Sequence, residues 1–128
     1  MNLSASALSA SLTVNDINKS IAWYRDILGF EVAENFEREG KLMAVSLKAG
    51  EARILITQDD FARGRDREKG AGFSMMFTTS QNIDDLAQGI KSRGGKLEAE
   101  PVDMRGRRAF RVSDPDGFRF TIASERTK

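Results

Sequence analysis

Apolar and polar positions along this chain spell out the same short pattern twice. Leu8 to Val14 alternates Leu8, Ala10, Leu12 and Val14 with hydroxyl-bearing Ser9, Ser11 and Thr13, the period of a half-buried strand. Asp16 then offers an acceptor to the free amides of a helix start. Ile17, Ile21, Tyr24 and Leu28 recur at spacings of four, three and four, which predicts an amphipathic helix closed by Gly29. Three strands follow over Phe30–Glu37, Leu42–Leu47 and Ala52–Gln58, divided by turn signals at Glu39-Gly40-Lys41 and Ala49-Gly50-Glu51. The unit is βαβββ.

From Asp59 to Ala71 the pattern gives way to DDFARGRDREKGA, in which eight of thirteen residues are charged; this reads as a linker or exposed loop. A strand over Phe73–Thr79 leads into a helix from about Ile83 to Arg93, capped by Asn82 and closed by Gly94-Gly95. Strands are expected near Lys96–Glu100, Arg108–Ser113 and Phe118–Ala123, the last two joined by the strong turn signal Asp114-Pro115-Asp116-Gly117. Sliding the chain over itself by 66 residues places Asp16 on Asn82, Ile17 on Ile83, Tyr24 on Ile90, Gly29 on Gly95, Gly40 on Gly106, Arg53 on Arg119 and Ile56 on Ile122. Caps, apolar faces, hairpins and last strands coincide without a gap, the signature of an internal repeat.

Length adds that the two modules share one core, since chains near half of 128 residues are marginal alone. The expected organisation is a single domain over 1–128, with modules at about 8–58 and 72–124 and a linker at 59–71. A net charge of +1 gives no bulk attraction to nucleic acid or to an anionic membrane. The chain has no Cys and no His, which excludes disulfides, thiolate nucleophiles, imidazole ligands and the usual general base. Residues 1–11 lack the basic start and apolar run of a secretory signal, and no stretch reaches membrane-spanning length, so a cytoplasmic protein is expected.

Val14, Asp16, Ile17, Ser20, Trp23, Tyr24, Leu28, Gly29 and Phe30 together with Asp114-Pro115-Asp116-Gly117 and the alternating Phe118, Phe120 and Ile122 resemble the vicinal oxygen chelate superfamily. That superfamily includes glyoxalase I, extradiol dioxygenases, fosfomycin-resistance enzymes and bleomycin-resistance proteins. The resemblance covers Ser9 to Ser124 and implies an α+β fold of two tandem βαβββ modules, whose strands curl into an open half-barrel with both helices outside. It also implies a homodimer. In metal-using members the ligands come from the first and last strands of each module, and the matching positions here are Ser9, Leu55, Met75 and Thr121. None is His, Glu or Asp, and hydroxyl, thioether and alkyl groups do not hold a hard divalent cation. The family metal site, and any cofactor, is therefore expected to be absent.

Strand alternation, phased on those four positions, assigns the cleft side chains. Ser9, Ser11, Thr13, Arg53, Leu55, Thr57, Phe73, Met75, Phe77, Thr79, Arg119, Thr121 and Ala123 point inward, while Leu12, Val14, Ile54, Ile56, Met76, Phe118, Phe120 and Ile122 form the apolar layer under the helices. The ligand-binding set is Ser9, Ser11, Arg53, Leu55, Phe73, Met75, Phe77, Arg119 and Thr121. It suits a mostly apolar organic molecule whose carboxylate, phosphate or sulfonate is clamped by Arg53 or Arg119. The plainer alternative is that Phe73, Met75 and Phe77 simply fill the half-barrel. No catalytic residue is assigned. Arg105, Arg107, Arg108 and Arg111 suit either an anion at the cleft mouth or a solvated hairpin, Asp84-Asp85 suits a helix first turn, and Trp23 suits a subunit contact.

The reading that follows is a metal-independent small-molecule-binding protein, organised like the bleomycin-resistance proteins that sequester a drug. An Arg-bearing pocket does not favour a cationic drug. Two alternatives stand beside it: a glyoxalase- or dioxygenase-like enzyme on a small organic substrate with a noncanonical or absent metal site, and a non-catalytic structural or regulatory dimer module. Neither nucleic acid nor membrane is expected as a partner.

Overall fold

The computed structural model describes residues 1–126 and carries the βαβββ pattern twice. In the first module β1 (Ala10–Val14) leads through helix α1 (Ile17–Trp23) to β2 (Glu31–Arg38), β3 (Lys41–Ala49) and β4 (Ala52–Gln58). The second repeats the order with β5 (Ser74–Thr79), α2 (Ile83–Ser92), β6 (Leu97–Met104), β7 (Arg107–Ser113) and β8 (Arg119–Ser124). The strands form two open four-stranded sheets ordered β1-β4-β3-β2 and β5-β8-β7-β6, which share no ladder among the described residues. In each, the first and last strands of the module run parallel and the other pairs antiparallel.

Local chemistry starts each helix where the sequence predicts. The Asp16 carboxylate accepts from the Asn18 and Lys19 amides at 3.1 and 3.2 Å, and the Asn82 side chain accepts from the Asp85 amide at 2.9 Å. The first helix departs from expectation at its end. Tyr24–Leu28 forms a widened π turn, Phe30 N donates to Tyr24 O at 2.9 Å, and Gly29 closes the turn with φ 85°. In α2 the left-handed closing residue is Gly94, φ 93°, while Gly95 supplies close packing: a Cβ there would meet Ile27 Cγ2 and Ile90 Cγ2 at 2.6 Å.

One hydrophobic core draws on both modules. Leu12, Val14, Ile54 and Ile56 from the first sheet, Phe110, Val112 and Phe120 from the second, and Tyr24, Ile83 and Ile90 from the helices are all buried in it. Trp23 is half-buried and packs against the core, 4.9 Å from the Tyr24 ring and stacked at 6.4 Å on Phe120. The modules are also clamped by polar contacts. Asp114, the first residue of the Asp-Pro-Asp-Gly turn, accepts the Tyr24 hydroxyl, Asp116 accepts the Asn15 amide and Ser20 hydroxyl, and the Arg93 guanidinium donates twice to Ile27 O.

The charged connector is tied down at one point. Asp59, buried at the end of β4, accepts from Lys69 Nζ at 2.7 Å, from Arg67 at 3.3 Å and from the Phe61 amide at 2.8 Å. The Lys69 side chain is itself 4% exposed. Gly70 then passes so close to the Asp-Pro-Asp-Gly turn that a Cβ on it would lie 2.4 Å from Gly117 O.

Candidate functional site

The faces turned away from the core follow from the ladders. In the first sheet Ser11 pairs with Leu55, and both lie opposite the buried Leu12 and Ile56, as expected. Arg53 is exposed, and Ser9 precedes β1 and is exposed as well. In the second sheet the expected phase of β5 is wrong by one residue. Met75 pairs with the buried Phe120 and Phe77 with Ile122, and both pack against the core; the Phe77 ring lies 5.5 Å from that of Phe120 and 5.8 Å from that of Phe30. Met76, expected under the helices, is 56% exposed and pairs with Thr121 on the outer face.

The cause is a shift in the repeat. Leu55 does map onto Thr121 at 66 residues, but their ladder partners Ser11 and Met76 are one residue closer together in sequence than that. Ser74, paired with Arg119, and Met76 therefore occupy the β5 face where Met75 was expected. Phe73 lies just before β5, 41% exposed and edge-on to Phe118 at 6.3 Å.

Two cavities open on the outer face of the second sheet. The larger, about 790 Å³, lies where the connector meets the Asp-Pro-Asp-Gly turn and brings Phe73 and Arg119 together with Ser74, Glu98, Ser113 and Asp116. Its charges are balanced locally: Arg119 Nε lies 3.9 Å from Glu98, and the Ser113 hydroxyl donates to Glu98. The smaller, about 320 Å³, is floored by Thr121, Ala109, Ala123, Met76 and Met104 and rimmed by Arg105, Arg107 and Arg126. Neither cavity is lined by Ser9, Ser11, Arg53 or Leu55; of the two guanidinium groups expected to hold an anionic ligand, Arg53 or Arg119, Arg119 lines the larger cavity and Arg53 lines neither.

The ionisable groups sort by partner. Burial, and then the Asp114 carboxylate, push the Tyr24 phenol far above its ordinary range, which leaves it a hydrogen-bond donor. Burial also raises the Asp114 carboxyl, against the hydroxyl of Tyr24 and the Phe118 and Asp116 amides. Within the basic cluster Arg108 is committed to structure, with Nε 2.6 Å and Nη2 2.8 Å from the Asp84 carboxylate and Nη1 3.2 Å from Asp103. Arg105 and Arg107 alone of the four line a cavity described here.

Tandem βαβββ modules with two open sheets and a buried polar clamp between helix and turn describe a known architecture. A family model for the Glyoxalase/Bleomycin resistance protein/Dioxygenase superfamily matches residues 7–122, and the chain belongs to that superfamily. A probable lactoylglutathione lyase of Synechocystis is 27% identical over 127 residues, covering 94% of this chain and 96% of its own. The virulence protein STM3117 of Salmonella typhimurium is 30% identical over 112 residues, covering 83% and 74%. A probable lactoylglutathione lyase and a lactoylglutathione lyase of Arabidopsis thaliana, at 27% and 25% identity, are longer, and the chain spans 33% and 40% of them. Among solved structures, a superfamily member from Sphaerobacter thermophilus has a TM-score of 0.75 at 27% identity, covering 94% and 98% of the two chains.

The metal that such a family implies would have to be held by the donors at these positions. Ser9, Leu55 and Thr121 offer hydroxyls and an alkyl group, Met75 is turned to the core, and its neighbours Ser74 and Met76 add a hydroxyl and a thioether. Among the described residues no group of three His, Cys, Asp or Glu side chains gathers within reach of one ion. This donor set does not fit a divalent cation. No described helix is long and apolar enough to cross a membrane.

Proposed function

We propose that this chain is a metal-independent small-molecule-binding protein, organised like the bleomycin-resistance members of its superfamily. The observation that carries the reading is the chemistry at the family's ligand-holding positions, where Ser9, Leu55 and Thr121 supply no anion or imidazole and the β5 position supplies Ser74, Met75 or Met76. Without a cation to polarise an oxygen, the lyase and dioxygenase chemistry of the superfamily has no electrophile in this cleft. The cleft still offers apolar floor and cationic rim, which suit an organic molecule.

The binding unit is a homodimer. β1 and β5 are the outer strands of their sheets, each with one side unpaired, so the first sheet of one copy can lie beside the second sheet of another. Light scattering on the eluting protein reports the subunit count. Elemental analysis and calorimetric titration test the rest: the purified chain carries no stoichiometric nickel, zinc, manganese or iron and binds small organic molecules. Stoichiometric metal supporting turnover would favour the enzymatic reading, which the name of the Synechocystis relative leaves in view.

A further inference from the structure

The smaller cavity contains a cation with nothing opposite it. Arg107 Nε is buried without a hydrogen-bond partner, and Nη1 of the same guanidinium meets the thioether of Met76 at 3.0 Å. Sulfur is a weak acceptor, and a buried Nε left without an acceptor beside it is unfavourable unless an anion completes the site. Neighbouring arginines show what completion looks like: Arg108 grips Asp84 with two nitrogens and Arg93 donates twice to a carbonyl. Arg105 and Arg126 also line this cavity, and no acidic residue does among those described.

The hollow itself is made by side-chain size. Ala109 and Ala123 face one another across the β7–β8 ladder, and two methyl groups leave open the space that larger residues would fill. Met76 and Met104 flank it with polarisable apolar surface that adapts to different shapes. At about 320 Å³ the cavity lies near the small end of organic-ligand sites, roughly 300–1,000 Å³.

We propose that this cavity binds a small organic anion with an apolar body, its charged group bound by Arg107 and its body lying on Met76, Met104 and the alanine pair. The proposal rests on the small-molecule-binding reading and moves the anion anchor from Arg53 and Arg119 to Arg107. It favours short aromatic or aliphatic acids over neutral or cationic compounds of the same shape.

Two dyes with one ring system separate charge from shape: 8-anilinonaphthalene-1-sulfonate and the uncharged N-phenyl-1-naphthylamine. The full chain, Arg107→Gln and Arg107→Lys are titrated with each by fluorescence, and circular dichroism melts report folding. Arg107→Gln is expected to weaken the sulfonate dye by about tenfold or more, the usual worth of a charge-assisted hydrogen bond, with the neutral dye within about twofold. Arg107→Lys keeps the charge but not the Nε donor and recovers part of the loss; if Arg107→Gln does not fold, this variant carries the comparison. Unchanged sulfonate binding, or equal loss of both dyes, overturns the proposal. A shift from dimer to monomer with dye binding intact also overturns it, assigning Arg107 to a contact between copies. Wild-type binding of the neutral dye alone sinks the anion site and spares the ligand-binding reading; binding of neither sinks both.

Discussion

The Tyr24 hydroxyl donates to Asp114 Oδ2 at 2.7 Å, a bond between two buried residues 90 positions apart. The other oxygen of Asp114 accepts the Asp116 and Phe118 amides at 2.9 and 2.8 Å. One carboxylate therefore shapes the last turn with Oδ1 and holds the first helix with Oδ2.

Tyr24→Phe leaves Asp114 Oδ2 buried without its donor, and a hydrogen bond to a charged group contributes about 1.5–3 kcal/mol. Urea unfolding is expected to show a loss in that range. The pH dependence has a definite sign. Burial raises the Asp114 carboxyl above 3.8, so the folded chain holds this proton more tightly than the unfolded one. Its contribution to stability therefore falls as pH rises from about 3.8 toward the folded value. Removing the Tyr24 hydroxyl, which lowers that value, extends the fall to higher pH. A difference between the two proteins that stays constant from acid to neutral pH contradicts this account.

Asp59 behaves in the opposite sense. The Lys69 hydrogen bond first, and then the Phe61 amide, hold its carboxyl below the usual 3.8. The stability it contributes is present above that value and is lost as pH falls through the lower folded one. Asp59→Asn is expected to flatten this acid limb and to expose the connector, which limited proteolysis between Asp59 and Gly72 reads directly. Cleavage at the wild-type rate would show that the ion pairs do not hold the connector.

Gly70→Ala tests the contact between connector and turn. The residue has φ 79°, and its new Cβ would stand 2.4 Å from Gly117 O, a backbone atom with no side-chain freedom to yield. A loss of about 1 kcal/mol or more is expected, visible as a lower melting temperature. Gly50→Ala, with φ 60° and open space around it, separates backbone strain from collision: it is expected to lose less.

The two adjacent methionines give the sharpest contrast. Met75→Asp places a carboxylate against Phe120 and the core and is expected to cost about 2 kcal/mol or more. Met76→Asp, on the exposed face and beside the Arg107 guanidinium, is expected to cost nothing or to stabilise. A larger loss from Met76→Asp than from Met75→Asp would mean that β5 is phased as the sequence alone suggests.

That contrast also marks where the sequence stops being legible. Leu8–Val14 alternates cleanly, so the buried face of β1 could be read from Leu12 and Val14 alone. Met75, Met76 and Phe77 are three apolar residues in succession, and such a run specifies a strand without saying which side is inward. Tyr24 was recognisable as a core residue by its spacing, but its acceptor lies in a distant turn. A buried phenol needs a partner, and that need was the one available clue to Asp114. Arg107 carried no local signal at all, since four arginines in seven residues look alike until Arg108 is seen committed to Asp84.

The widened turn at Tyr24–Leu28 reaches beyond the helix that contains it. It adds a residue inside the first helix, while the path from the outer face of β5 to the second helix cap is one residue longer than its counterpart from β1. The 66-residue register of the helix caps and last strands therefore hides the 65-residue spacing of Ser11 and Met76. Side-chain direction does change: Ser11 beside Leu55 on one sheet is answered by Met76 beside Thr121 on the other. A ligand held between such halves meets a surface that has a hand, and can settle in one orientation within an outline that looks two-fold.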